Sequence, residues 1–153
     1  MIAIRFIGII AKAAAVVWLA AVLSQAPALA EEISAPEARQ RVEAGTLTII
    51  DVRRPGEWRE TGVAEGGLPI SLHNLMRLER GEFADDVLKA LGGDRSRPVA
   101  LICAGGVRSS RAEAILREAG FNTVYDINEG MLGNGRDPGW VGRKLPVRDC
   151  VRC

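Results

Sequence analysis

The sequence predicts an α/β fold, a parallel central sheet flanked by helices on both faces. Three observations predict it. Short apolar runs rich in β-branched residues recur along the chain at 46–50, 99–102 and 121–127. Segments with helical spacing or helix-start residues lie between them. The run Val99-Ala100-Leu101-Ile102 contains no polar residue, as expected of a strand covered on both faces. Strands that alternate with helices pair in parallel, because each helix returns the chain to the same end of the sheet.

Residues 1–30 read as a leader, outside the fold. Arg5 places a positive charge near the start, and no acidic residue precedes Glu31. Residues 13–23 form an apolar run too short to span a bilayer comfortably. Ala28-Leu29-Ala30 fits a small-x-small cleavage site, with Gln25 and Pro27 breaking the run before it. The expectation is a signal peptide and export, to a bacterial periplasm, with no membrane association after cleavage. The alternative is an uncleaved membrane anchor that recruits residues 2–10 and places Lys12 inside the apolar span. Removing Arg5 and Lys12 leaves 18 basic against 19 acidic residues, a net charge of −1. That balance excludes the electrostatic footprint of a nucleic-acid binder. The remaining 123 residues suffice for one core.

The elements then follow in order. Ser34-Ala35-Pro36-Glu37 is a capping box, so a helix is expected over 35–44, stopped by Gly45. The strand over 46–50 ends on Asp51-Val52-Arg53. Pro55 in a first turn suits a short helix over 55–60. An extended piece over 66–72 follows, then a helix over 83–91 closed by Gly92-Gly93. The strand over 99–102 leads into a helix whose apolar stripe is Ala112, Ile115, Leu116 and Ala119. Ser110 with Glu113 three residues on marks the start of that helix, and Gly120 its end. After the last strand, a glycine-rich passage over 130–142 contains Trp140, which with Pro146 is expected to pin the chain end.

Chemistry concentrates between the all-apolar strand and its helix. Cys103 starts a loop, Ala104-Gly105-Gly106-Val107, that ends at Arg108-Ser109. The two glycines let the backbone curl and turn N–H groups inward, toward the sulfur and the helix N-terminus. Such amides, with Arg108, would stabilise a thiolate and hold an anionic substrate against it. A cysteine at the end of a buried strand is often only a small hydrophobe. Here its place at the C-terminal sheet edge and the Gly-Gly and Arg that follow favour a nucleophile. Cys103 and Arg108 are therefore the candidate catalytic residues. Ala104, Gly105, Gly106, Val107 and Ser109 are the candidate substrate-binding residues. Asp51 and Arg53 end on the same sheet edge, and either support the loop from behind or form an ordinary strand-end ion pair. His73, the only histidine, reads as a surface residue and Glu57 as a structural partner. Trp58 and Trp140 read as core or cover.

These residues together resemble a single-domain rhodanese. The resemblance runs from about residue 33 to 147, within an expected domain over 31–147. Ile33-Ser34 before a helix resembles the family's opening. Ile50-Asp51-Val52-Arg53 followed by Pro55-Gly56-Glu57-Trp58 resembles its Asp-Val-Arg and Glu-aromatic signature. Residues 62–66 stand where the family has Gly-His-Ile-Pro-Gly, with Val63 in place of the histidine. Cys103 to Ser109 resembles the active-site loop, and Gly130-Met131-Leu132 with Trp140 and Leu145-Pro146-Val147 resembles the closing segment. The resemblance implies a sulfurtransferase that needs no cofactor. It would take a sulfane sulfur from a small anionic donor, thiosulfate or a persulfide, onto Cys103. A thiol, a protein acceptor or cyanide would then remove it.

Two departures bear on the donor and the fold. Ala104 and Val107 leave Arg108 as the loop's only cation, which weakens the case for thiosulfate. An insertion over 133–139 separates Met131-Leu132 from Trp140. Two rival functions use related chemistry. One is a non-catalytic persulfide relay serving a protein partner. The other is a cysteine phosphatase or arsenate reductase, whose loops place five residues between Cys and Arg where this chain has four.

The tail over 148–153 holds Cys150-Val151-Arg152-Cys153, beyond the resemblance. Export would favour its oxidation. Three readings stand: a plain disulfide, a redox pair that resolves the persulfide on Cys103, or half of a metal site. One histidine and no further ligand pair weigh against metal.

Overall fold

Pairing begins with β1 (Glu31–Glu32), the first element of a computed structural model that describes residues 31–151 and 153. The expected leader over 1–30 lies outside the described residues. There follow α1 (Ala35–Glu43), β2 (Thr48–Asp51), α2 (Pro55–Thr61), β3 (Val63–Ala64), β4 (Leu68–Pro69) and α3 (Phe83–Ala90). The second half comprises β5 (Val99–Ile102), α4 (Val107–Glu118), β6 (Val124–Asp126), α5 (Gly139–Gly142) and β7 (Val147–Arg148). Five strands form a wholly parallel sheet in the order β1-β6-β5-β2-β4. A separate antiparallel ribbon pairs β3 with β7.

Alternation along β5 explains the two-sided burial. Val99, Leu101 and Cys103 pack with Phe83 and Val87 of α3 and with Ala112 and Leu116 of α4. Ala100 and Ile102 point the other way, to Ala35 and Ala38 of α1 and Trp140 of α5. All four β5 residues are fully buried, which is why that run tolerates no polar side chain. Burying one large residue such as Phe83 contributes about 1.5–3 kcal/mol over leaving it exposed. The expected α/β architecture with helices on both faces is therefore what the chain forms.

Some boundaries differ from expectation, each for a local reason. The Ser34 hydroxyl accepts from the Glu37 N–H (3.3 Å), but the Glu37 carboxylate turns to Arg41 instead of closing the capping box. The Ala35 N–H is taken by the Glu129 carboxylate at 2.7 Å. Of 66–72, only Leu68–Pro69 pairs as a strand, because Pro69 offers no N–H. Ile70 and Leu72 still donate to the Asp51 and Val52 carbonyls. Of 121–127, only Val124–Asp126 is strand, since the Phe121 N–H closes the turn after α4 on the Leu116 carbonyl and the Asn122 N–H bonds the Arg95 carbonyl of the loop before β5.

The start of α4 is a correction with consequences. It begins at Val107, not at Ser110. Gly106 takes φ of 97°, a conformation open to glycine, and the helix follows at once. Ser110 therefore sits inside the first turns, its hydroxyl bonded to the Gly106 carbonyl (3.0 Å) and the Asp126 carboxylate (2.5 Å). Glu113 pairs with Arg117 instead of capping. Trp140 and Pro146 do pin the chain end, the indole N–H donating to the Pro146 carbonyl at 2.9 Å.

Candidate functional site

Cys103 leaves the C-terminal end of β5, and α4 starts four residues later. The intervening loop folds over the sulfur. The Gly106 N–H donates to Cys103 Sγ at 3.0 Å. The Ser109 hydroxyl lies 3.5 Å from Sγ and donates to the Gly106 carbonyl at 2.8 Å. Cys103 is only 1% exposed, whereas Val107 at the outside of the loop is 84% exposed. Only a slim group can reach Sγ past that loop.

The segment after β6 props the loop from behind. Met131 and Leu132 donate their N–H groups to the Cys103 and Ala104 carbonyls at 2.8 and 2.9 Å. A Cβ on Gly106 would stand 2.5 Å from the Asn128 carbonyl oxygen, and one on Gly130 would stand 2.5 Å from the Ala104 carbonyl oxygen. The insertion over 133–139 belongs to this support. Its Asn134 accepts from the Arg136 and Asp137 N–H groups and reaches the Asn128 carbonyl, and the Gly133 carbonyl backs Gly105.

Arg108 differs from expectation. Its guanidinium forms a two-point ion pair with Glu57 of α2, so it brings no uncompensated charge to the loop. Burial opposes ionisation of Glu57. Hydrogen bonds from Arg108 and from Arg54 outweigh it and hold the carboxyl at about 2, below the ordinary 4.5. The same hydrogen bonds, donated by Arg108 to Glu57, push Arg108 up against burial. Glu57, read from sequence as a structural partner, thus anchors the end of the Cys103 loop.

Asp51 and Arg53 form a fully buried ion pair, with Nη2 2.7 Å and Nε 2.9 Å from the carboxylate. Arg53 also bonds the Thr61 hydroxyl (2.7 Å) and the Gly62 carbonyl (2.7 Å). Among the described residues neither side chain hydrogen-bonds to the loop. They fasten β2 to the end of α2, which carries Glu57, and the Asp51 carboxylate also favours the charged form of Arg108 through space. Breaking such a pair leaves a buried charge, at a cost of about 3–5 kcal/mol.

Three residues that sequence reasoning did not assign to the site gather beside Arg108. A cavity of about 200 Å³ is lined by Arg54, His73, Arg77 and Arg108. A larger one of about 670 Å³ adjoins it along α2 and shares Arg54 and His73. His73 is half-buried in this wall, not a plain surface residue. Arg54 follows the Asp-Val-Arg run directly, but nothing in its spacing signals the cavity.

A family model for the rhodanese-like domain matches residues 34–133. The chain belongs to the rhodanese-like family. Relatives of this domain include an uncharacterized protein, RP600, of Rickettsia prowazekii, 26% identical over 98 residues, which are 64% of this chain and 80% of that one. A tRNA uridine(34) hydroxylase of Nitrobacter hamburgensis is 42% identical over 91 residues, 60% of this chain but only 33% of that protein. Among solved structures, the polysulfide-sulfur transferase homodimer of Wolinella succinogenes is 28% identical with a TM-score of 0.58, covering 80% of this chain and 81% of that one. The match to a rhodanese-like domain agrees with the resemblance carried by the Cys103 loop.

The rhodanese-like domain is followed by the cysteine pair. Cys150 and Cys153 are joined in a disulfide. Cys150 packs against Trp58 and Val63, a cluster separate from the one holding Cys103. Arg59 of α2 donates to the Cys153 carbonyl at 3.1 Å. Val63, where the family has histidine, is fully buried in that cluster.

Proposed function

We propose that this protein is a sulfurtransferase in which Cys103 carries a sulfane sulfur as a persulfide. The observation that carries this reading is the Gly106 N–H aimed at Cys103 Sγ at 3.0 Å, at the start of α4. Amide dipoles there favour negative charge on sulfur and on the group that arrives. The Cys103 thiolate attacks the outer sulfur of the donor. A new S–S bond forms, the donor's own bond to that sulfur breaks, and its electron pair leaves with sulfite or a thiolate. The loop amides stabilise that charge. An acceptor thiolate or cyanide then removes the outer sulfur and restores the Cys103 thiolate. No step requires a general acid or base, because nucleophile and leaving group are both anions.

The test is Cys103→Ser assayed as thiosulfate:cyanide sulfurtransferase. The variant is expected to unfold at the wild-type temperature and to lose the activity. Activity at the wild-type level would overturn the proposal.

One observation favours a second reading, a relay that loads from a partner persulfide. With Arg108 answered by Glu57, the loop offers thiosulfate no free cation. Slow loading from thiosulfate beside fast loading from a persulfide would select it. Export is proposed on residues 1–30 alone, and N-terminal sequencing of protein taken from cells is expected to begin at Glu31.

A further inference from the structure

The segment between β4 and α3 presents a cation that the chemistry at Cys103 leaves unused. Residues 74–78 close on themselves. The Asn74 N–H donates to the Leu78 carbonyl at 2.8 Å, and Asn74 Oδ1 accepts from the Met76 and Leu78 N–H groups at 3.0 Å each. The Arg77 N–H donates to the Asn74 carbonyl, and Arg77 holds φ of 63°. That left-handed conformation is uncommon for a residue other than glycine, asparagine or aspartate. The loop is also braced from both sides. Arg111 of α4 grips Glu79 at 2.8 and 2.9 Å. Arg80 bonds the Ser71 carbonyl and the carboxylates of Glu82 and Asp86. The backbone at Arg77 is thus held in place, and its exposed side chain lines the cavity it shares with Arg54, His73 and Arg108.

The charges in that wall do not cancel. Glu57 answers Arg108 and lies 3.3 Å from Arg54 Nε. Arg53, Arg80 and Arg111 are committed to Asp51, to Glu82 and Asp86, and to Glu79. Arg77 has no ion pair among the described residues. Arg54, Arg77 and Arg108 against Glu57 leave a surplus of two positive charges in the cavity beside Arg108, where the cysteine loop ends. Guanidinium groups in such a setting recognise planar carboxylates through paired hydrogen bonds.

Size separates a bare ion from an organic one. The cavity continues past Arg54 and His73 into about 670 Å³ lined also by Pro55, Arg59, Glu60 and Leu75. That volume and mixed lining suit an organic molecule, not a four-oxygen anion.

We infer that Arg77, with Arg54 and His73, forms the recognition site for the organic half of the sulfur donor, a persulfide of a small thiol that carries carboxylates. The inference rests on the sulfurtransferase reading of Cys103. The donor's carboxylate docks at Arg77 and Arg54, and its outer sulfur reaches into the loop. The Cys103 thiolate attacks that sulfur, the donor's S–S bond breaks, and the donor leaves as its thiolate. The proton on the transferred sulfur stays with it, so atoms and electrons balance without an oxidant.

The experiment compares single-turnover loading of the full chain by two probes, read by mass on Cys103. One probe is glutathione persulfide, which carries two carboxylates. The other is the persulfide of 2-mercaptoethanol, which carries none. The variant is Arg77→Asn, which keeps the left-handed backbone accessible and removes the charge. The expected result is a loss of about tenfold in the loading rate constant with glutathione persulfide. With the neutral probe the expected change is under about twofold. Equal losses with both probes, or no loss with either, would overturn the inference. Wild-type protein that loads from thiosulfate but not from glutathione persulfide would also overturn it, leaving the sulfurtransferase reading intact. Wild-type protein that loads from no donor would overturn both.

Discussion

Arg108 and Glu57 meet edge to edge, Nη1 lying 2.7 Å from Oε2 and Nη2 2.6 Å from Oε1. The two residues are 51 positions apart, so the pair ties the end of the Cys103 loop to α2. Only a planar guanidinium can make both contacts at once. Arg108→Lys is therefore expected to lose about as much activity as Arg108→Ala, because either change releases the end of the Cys103 loop from Glu57. Glu57→Gln leaves a half-buried guanidinium short of partners and is expected to lower stability by about 1–3 kcal/mol. Steady-state kinetics and urea unfolding measure the two effects. Wild-type kcat/KM in Arg108→Lys would show that charge alone suffices.

The same pair sets an acid limb. Glu57 ionises near 2 in the fold and at 4.5 ordinarily, so the folded state binds fewer protons in that interval. Its stabilisation is complete above about pH 4.5 and is lost as the pH falls toward 2. Asp126 opposes it. Burial, against hydrogen bonds from Ser109 and Ser110, raises its carboxyl, so the fold gains from protonating it. Urea midpoints measured from pH 2 to 6 are expected to fall with acid in the wild type and to fall less in Glu57→Gln. Identical slopes in the two proteins would contradict the assignment.

Gly106 offers a steric test of the loop. Its Cβ position is blocked by the Asn128 carbonyl at 2.5 Å, and its φ is 97°. Gly135 also has a positive φ, of 87°, but an added Cβ there meets nothing within 4 Å. Gly135→Ala is expected to cost only backbone strain, about 1–3 kcal/mol, with wild-type turnover. Gly106→Ala is expected to displace the N–H from Sγ and to reduce turnover by about tenfold or more. Equal turnover in the two variants would show that the loop tolerates displacement.

The parts legible in the sequence were those set by local pattern. The apolar run of β5, the helical stripe of Ala112 and Leu116, and the glycines after Cys103 each announce their role within a few residues. Contacts between distant positions were not legible. Glu57 could be seen as charged and near Trp58, but its partner lies on another element. Ser110 and Glu113 satisfy the spacing of a capping box, yet Gly106 starts the helix earlier because the loop must curl under Asn128. Arg77 gives no local signal, since its placement depends on Asn74 closing a turn and on Arg111 gripping Glu79. The β3 and β7 ribbon joins two-residue segments too short to register as strands.

The tail disulfide is a brace in this account. Cys150 packs on Trp58 and Val63, and Arg59 holds the Cys153 carbonyl. A loop this short contributes at most about 2 kcal/mol of unfolded-state entropy. Cys150→Ser with Cys153→Ser is expected to lower the unfolding temperature by several degrees. Turnover and the lifetime of the Cys103 persulfide are expected to stay unchanged. A persulfide that becomes long-lived only in this double variant would assign the pair a resolving role instead.

The central claim is that Cys103 holds the transferred sulfur, and intact-protein mass spectrometry reads it directly. After incubation with thiosulfate or with an organic persulfide and removal of excess donor, the protein is expected to gain about 32 Da, one sulfur atom. Fragmentation is expected to place the sulfur on Cys103. Cyanide or a thiol is expected to remove it, and Cys103→Ser is expected never to acquire it. A wild-type protein whose mass is unchanged by every donor, or the same gain in Cys103→Ser, would contradict the account.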